Sequence, residues 1–190
     1  APAFNGGRDI SFYVIYQDGV DVMHINSTSA TISGLLNGQT YVFTVSASNL
    51  AGTGPSSSSV QSIPFTVPNP VTGLTAKPGN GNVTLNWTAP SFDGGRPINN
   101  DMVFVDGSSV GQVTGTSMTI EGLQNGREYS AYVIAHNLAG IGPLASPVSA
   151  IPYTLPGAPS GLSAVAGNAI VVLSWNAPSF DGGRSIDHYI

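Results

Sequence analysis

Ala89-Pro90-Ser91-Phe92-Asp93-Gly94-Gly95-Arg96 is a stretch that the chain spells three times. It occurs as Ala1-Pro2-Ala3-Phe4-Asn5-Gly6-Gly7-Arg8 and as Ala177-Pro178-Ser179-Phe180-Asp181-Gly182-Gly183-Arg184, with successive copies 88 residues apart. Each copy is followed, after one intervening residue, by an isoleucine: Ile10, Ile98 and Ile186. Self-similarity at a fixed period is the mark of a repeat architecture. About half of residues 1–66 recur 88 positions later without a gap, so the repeat length is tightly held. The expected division is one complete repeat over 70–155, the later part of another over 1–66, and the opening of a third over 156–190.

Working outward from that turn, apolar residues alternate with polar ones over short stretches. Val83, Leu85 and Trp87 alternate with Asn82, Thr84 and Asn86, and Tyr129, Ala131, Val133 and Ala135 alternate farther on. A period of two is the signature of a half-buried strand. The complete repeat predicts seven strands: Val71–Lys77, Val83–Trp87, Ile98–Val105, a short one after Asp106-Gly107, Thr116–Ile120, one led by Tyr129, and one near Ala145–Ile151. Residues 1–66 repeat the later part of this pattern with Phe12–Ile15, Thr28–Ile32, Tyr41–Ala47 and a weaker strand within Ser56–Ile63. Pro64, Pro68 and Pro70 predict a short stiff linker. Seven short strands with turn signals every 8–12 residues imply an antiparallel sandwich, and no stretch has sustained helical periodicity.

Composition narrows the function. Charged residues make up 8% of the chain, against roughly 25% in ordinary globular domains. The net charge is −5, and Lys77 is the one lysine, so no basic patch is present to bind nucleic acid through its phosphates. No apolar run reaches the roughly 20 residues that cross a bilayer. The absence of cysteine excludes disulfides and thiolate ligands.

The residues together resemble the fibronectin type III family. The resemblance is carried by Gly73-Leu74-Thr75-Ala76, by Trp87, by the Ile98-led strand, by Gly122-Leu123 leading to Tyr129, and by Asn137-Leu138-Ala139-Gly140 with Gly142-Pro143. The Asp-Gly-Gly-Arg-Pro-Ile wording is similar to repeats of large bacterial, archaeal and viral surface proteins. The resemblance implies an all-β fold: tandem seven-stranded, immunoglobulin-like sandwiches, one complete domain flanked by two half domains. It places strands one, two and five in one sheet and the other four in the second. It gives core roles to Trp87, Leu123, Tyr129, Tyr41 and Trp175, with the Tyr129 hydroxyl held by backbone near Leu123.

One position departs from the pattern. Three residues after the isoleucine stand Tyr13 and Tyr189, but Asp101 fills that place in the complete repeat. The expectation is a bulged or late-starting strand that leaves Asp101 wet. The other reading is a buried carboxylate in need of a partner, and an amide crosslink to Lys77 is disfavoured by the outward place of that lysine.

The glycine-rich turn lacks the Gly-Lys-Ser/Thr ending of a phosphate cradle, so its glycines are read as suppliers of positive φ. Arg8, Arg96 and Arg184 are candidate contacts between repeats. His24, His136 and His188 share no ligand spacing, Asp18 and Asp21 fall short of the oxygens calcium needs, and no metal or other cofactor is expected. Tyr132, Ile134 and His136 should point outward as an apolar stripe, a candidate contact surface. Asn26, Asn82 and Asn86 open candidate N-glycosylation sequons.

The expected function is that of a non-catalytic structural segment: a spacer, assembly or adhesion rod outside the cell or on a virion surface. Its partners would be neighbouring repeats or copies, with other surface proteins or glycans also open. The alternative is an accessory module of a secreted polysaccharide-degrading enzyme. The half repeats should leave Tyr13, Ile15, Ile32, Tyr41, Phe43 and Val45 uncovered on one side of the chain, and Val171, Leu173 and Trp175 on the other. Either the sequence is a window of a longer chain or half domains of neighbouring copies complete each other, which would build a filament.

Overall fold

A computed structural model describes residues 2–190, and among them every regular element is a strand. By their contacts the residues form two units. One runs to Thr66 and takes in Gly94–Arg96; the other holds Val67–Asp93 and Pro97–Ile190.

The first unit contains β1 (Phe12–Gln17), β2 (Val20–Ile25), β3 (Tyr41–Asn49), β4 (Gly52–Thr53) and β5 (Val60–Ser62). They form one antiparallel sheet in the order β2-β1-β3-β4, with β5 also on β3. Asp18 and Gly19, at φ 52° and 82°, turn β1 into β2; two positive-φ residues are what a tight hairpin of this hand requires. Thr28–Ile32 forms no strand. Its counterpart 88 residues later pairs with a strand that residues 1–66 lack, so the apolar pattern has no ladder to join.

With a single sheet, the face that a second sheet would cover stays open. An apolar recess of about 770 Å³ is lined there by Tyr13, Ile15, Ile32, Phe43 and Val45. Ile15 and Tyr41 are nevertheless buried while Val45 remains 38% exposed, so the expectation of general exposure holds only in part. Ser46 and Ser48 are buried, each with a hydrogen-bond partner: Ser46 Oγ lies 3.0 Å from Ser56 Oγ, and Ser48 Oγ donates to Gly52 O.

The second unit contains β6 (Thr72–Pro78), β7 (Asn82–Thr88), β8 (Ile98–Val105), β9 (Ser108–Val113), β10 (Ser117–Glu121), β11 (Tyr129–Asn137), β12 (Gly140–Ile141), β13 (Val148–Ala150), β14 (Ser160–Gly167) and β15 (Ile170–Asn176). β10-β7-β6 make a three-stranded sheet. β12-β11-β8-β9, with β13 also on β11, make a five-stranded one. Strands one, two and five thus share a sheet, as the resemblance implied. The seventh strand is split into β12 and β13, because Pro143 and Pro147 stand between them and proline cannot donate to a ladder. Between the sheets lies one core of Val71, Val83, Leu85, Trp87, Val103, Val105, Ile120, Tyr129, Ala131, Val133, Ala135 and Ala145. The fold is a complete seven-stranded sandwich flanked by two half domains, in an all-β chain.

The third repeat supplies the hairpin β14–β15 and nothing to cover it. Val171, Leu173 and Trp175 are 61%, 54% and 42% exposed. The Trp175 indole meets the Tyr189 ring edge-on at 5.4 Å. Of the three prolines read as a stiff linker, Pro68 is fully buried and Pro64 and Pro70 are half-buried.

Candidate functional site

Two arrangements in the chain are more specific than ordinary packing. One is the polar centre of the middle repeat's core, and the other is a contact made by the Asp-Gly-Gly-Arg corner.

Tyr129 opens β11 with its ring in the core and its hydroxyl accepting a hydrogen bond from Gln124 N at 2.9 Å. Tyr41 receives the same bond from Leu36 N at 2.9 Å. Half-buried Leu123 packs against the core beside this corner. On the facing sheet, alternation along β7 sends Val83, Leu85 and Trp87 inward. Trp87 Nε1 donates to Asp101 Oδ2 at 2.7 Å. Asp101 is 5% exposed on a regular stretch of β8, so the expectation of a wet, bulged carboxylate is overturned. Register explains why: Asp101 pairs with Ala135 on β11 and Val113 on β9, inside both neighbours. Burial pushes its carboxyl above the ordinary carboxylate value, and the indole hydrogen bond opposes this more weakly. Lys77 is exposed on β6 and takes no part.

The corner contact starts from a buried amide. Asn137, fully buried at the end of β11, donates from Nδ2 to Asp93 O at 2.7 Å and accepts from Ala139 N at 2.8 Å. Asn49 makes the equivalent bond to Asn5 O at 2.9 Å. In the second unit the third repeat's corner then meets the tail that leaves the sandwich. Thr154 N donates to Gly182 O at 2.7 Å, Gly157 N donates to Phe180 O at 3.0 Å, and Gly126 N donates to Pro152 O at 2.9 Å. The Arg184 guanidinium lies 4.3 Å above the Tyr153 ring. Gly182 and Gly183 have φ of 84° and 88°. A Cβ on Gly183 would collide with Gly126 N and come within 2.8 Å of Gly126 Cα, so glycine is needed both for conformation and for close approach.

The same contact occurs 88 residues earlier inside the first unit. Thr66 N donates to Gly94 O, Gly38 N donates to Pro64 O, and Arg96 lies 4.8 Å over Phe65. A Cβ on Gly95 would come within 2.7 Å of Gly38 Cα. Arg8 is exposed, and a Cβ on Gly7 would meet nothing within 4 Å. Phe65 and Tyr153 are not among the residues singled out from the sequence, and Asn137 is named there only within the Asn-Leu-Ala-Gly turn. The signal was present, since Ile-Pro-(Phe/Tyr)-Thr recurs at 63–66 and 151–154 with the same period.

The other candidates fall elsewhere. Tyr132, Ile134 and His136 are half-buried on the outer side of β11, and Tyr132 stacks on Phe104 at 4.9 Å. Asn86 and Asn26 are exposed, and Asn82 is half-buried. Asp21 pairs with His24 at 2.8 Å, while Asp18 Oδ1 accepts from Val42 N. Among the described residues no three His, Cys, Asp or Glu side chains gather as a metal site. No described helix is long and apolar enough to cross a membrane.

The fibronectin type III domain profile matches residues 1–63 and 69–151. A Kelch domain-containing protein of Saccharolobus solfataricus is 40% identical over 119 residues, covering 60% of this chain and 16% of that protein. Myomesin-2 of Homo sapiens is 30% identical over 178 residues, 83% of this chain and 12% of its own length. Chitinase A1 of Niallia circulans is 30% identical over 150 residues, 73% and 21% of the two chains. The chain thus spans about a fifth or less of the length of each of these relatives. A crystal structure of a stretch of titin domains superposes with a TM-score of 0.54 at 23% identity, covering 73% of this chain and 53% of that one; it shares the fold.

Proposed function

The chain belongs to the fibronectin type III family, and from that premise we propose that it is a non-catalytic spacer segment of a protein outside the cell or on its surface. In this reading the repeats fall at 1–66, 70–155 and 156–190, and a repeat's Gly-Gly-Arg corner packs on the tail of the repeat before it. Its partners are neighbouring repeats of the same kind. The observation that carries the reading is the corner contact itself. The backbone bonds Thr66 N to Gly94 O and Thr154 N to Gly182 O, and the arginine over an aromatic ring, recur 88 residues apart. A ligand-binding module needs a formed recess with convergent polar groups, whereas a spacer needs a reproducible joint, and the recurrence of these bonds and of the arginine–ring stack is what supports the spacer.

The likeness to a chitinase favours a second reading, in which the repeats are an accessory module of a polysaccharide-degrading enzyme. Binding of the chain to chitin, cellulose and a glycan array separates the two. The spacer reading expects no saturable binding to any of them. Saturable binding to one polysaccharide would replace it with the accessory-module reading.

A further inference from the structure

The middle repeat differs from its neighbours at the centre of its core. Tyr13 and Tyr189 hold the position that Asp101 occupies between them. In the third repeat the aromatic meets Trp175 edge-on; in the middle repeat Trp87 meets a carboxylate through its indole N–H. We propose that Asp101 makes the middle repeat a pH-responsive link, firmer in acid than near neutrality, between two repeats that have a phenol at that place. This goes beyond the spacer reading and does not depend on it, since it concerns the stability of one sandwich.

The geometry supports this at each contact. Asp101 is 95% buried, because its exposure is 5%. Oδ2 receives the indole hydrogen, and Oδ1 has no hydrogen-bond partner among the described residues. The elements packed around it offer no compensating charge. β7 presents Val83, Leu85 and Trp87, β9 presents Gly111 and Val113, β10 presents Met118 and Ile120, and β11 presents Ala131, Val133 and Ala135. None of these titrates. A carboxylate anion held in apolar surroundings by one neutral donor is costly, and the neutral acid costs far less.

The direction of the pH effect follows from the direction of the shift. Desolvation raises the folded-state value above the unfolded one, and the hydrogen bond from Trp87 lowers it by less. The folded state therefore holds the proton at pH values where the unfolded chain has released it, so stability falls as pH rises through that window. The stabilisation is fully present below the unfolded value of about 3.9 and is lost as pH passes the raised folded value. Paired surface carboxylates behave in the opposite sense.

The test uses the 190-residue chain with Trp175→Phe, so that fluorescence reports Trp87 alone. Urea unfolding is followed from about pH 8 to about pH 4 for this parent and for Asp101→Asn, which keeps an oxygen for the Trp87 N–H and removes the charge. The parent's unfolding constant should fall relative to that of Asp101→Asn as the pH drops, by at most about tenfold per pH unit, the limit for one proton. Asp101→Tyr, which restores the residue of the other repeats, should lose the same slope and serves if the amide variant folds poorly. Equal slopes in parent and variants would overturn the proposal, and so would a parent that gains relative stability as the pH rises.

Discussion

Gly183→Ala tests the corner contact with the smallest change available. The position has φ 88°, and a side chain in that left-handed region costs about 1–2 kcal/mol. The added methyl would also collide with Gly126 N and lie 2.8 Å from Gly126 Cα. Both are backbone atoms that cannot step aside, so the contact must open. Opening it releases the Thr154–Gly182 and Gly157–Phe180 hydrogen bonds and the Arg184–Tyr153 stack. At about 0.5–1.5 kcal/mol for each hydrogen bond and about 0.5–1 kcal/mol for an exposed cation–π pair, the contact is worth about 1.5–4 kcal/mol. Gly7→Ala is the matched control, with φ 78° and no atom within 4 Å of the new methyl; it carries the strain without the collision. The assay is amide hydrogen exchange at Thr154 and Gly157. Gly183→Ala should speed exchange at both by one to three orders of magnitude, as follows from 1.4 kcal/mol per factor of ten, while the β7 and β11 amides remain slow. Unchanged protection at Thr154 and Gly157 would refute the claim that the corner holds the tail.

Other expectations follow from the core and its outer face. Tyr129→Phe removes the acceptor of Gln124 N and should cost about 1–3 kcal/mol in urea unfolding by leaving that donor unpaired. Trp87→Ala should cost about 3–5 kcal/mol, enough to unfold a marginal domain, because it empties the core centre and strips Asp101 of its one donor. Tyr132→Ser should lower the melting temperature modestly, since it breaks the stack on Phe104, worth about 0.5–1.5 kcal/mol beyond area burial.

The sandwich was legible because its signals are local. Alternation in Val83–Trp87 and Tyr129–Ala135, the corner tyrosine and the Asp-Gly turns each state a backbone geometry within a few residues. The three copies of the turn fixed the period. Asp101 could not be placed the same way: its burial depends on register with Ala135 and Val113, far away in the chain, and a carboxylate is ordinarily wet. Thr28–Ile32 has a strand's pattern, yet a strand requires a neighbour to pair with, and none is at hand in residues 1–66. The corner arginines are legible as recurring residues, but their partners Phe65 and Tyr153 each stand 31 residues earlier in the chain, beyond the reach of any local signal.

The proposed spacer role rests on the corner contact, which within the second unit ties the Gly182-Gly183-Arg184 corner to the tail at Tyr153–Gly157. The chain has no cysteine, so Ser108→Cys and Asn168→Cys place two spin labels at exposed sites on the sandwich and on the β14–β15 hairpin. Electron–electron distance measurement should give one narrow distribution for the otherwise native chain, and a broad one when Gly183→Ala is added. A distribution equally broad with and without Gly183→Ala would contradict the account.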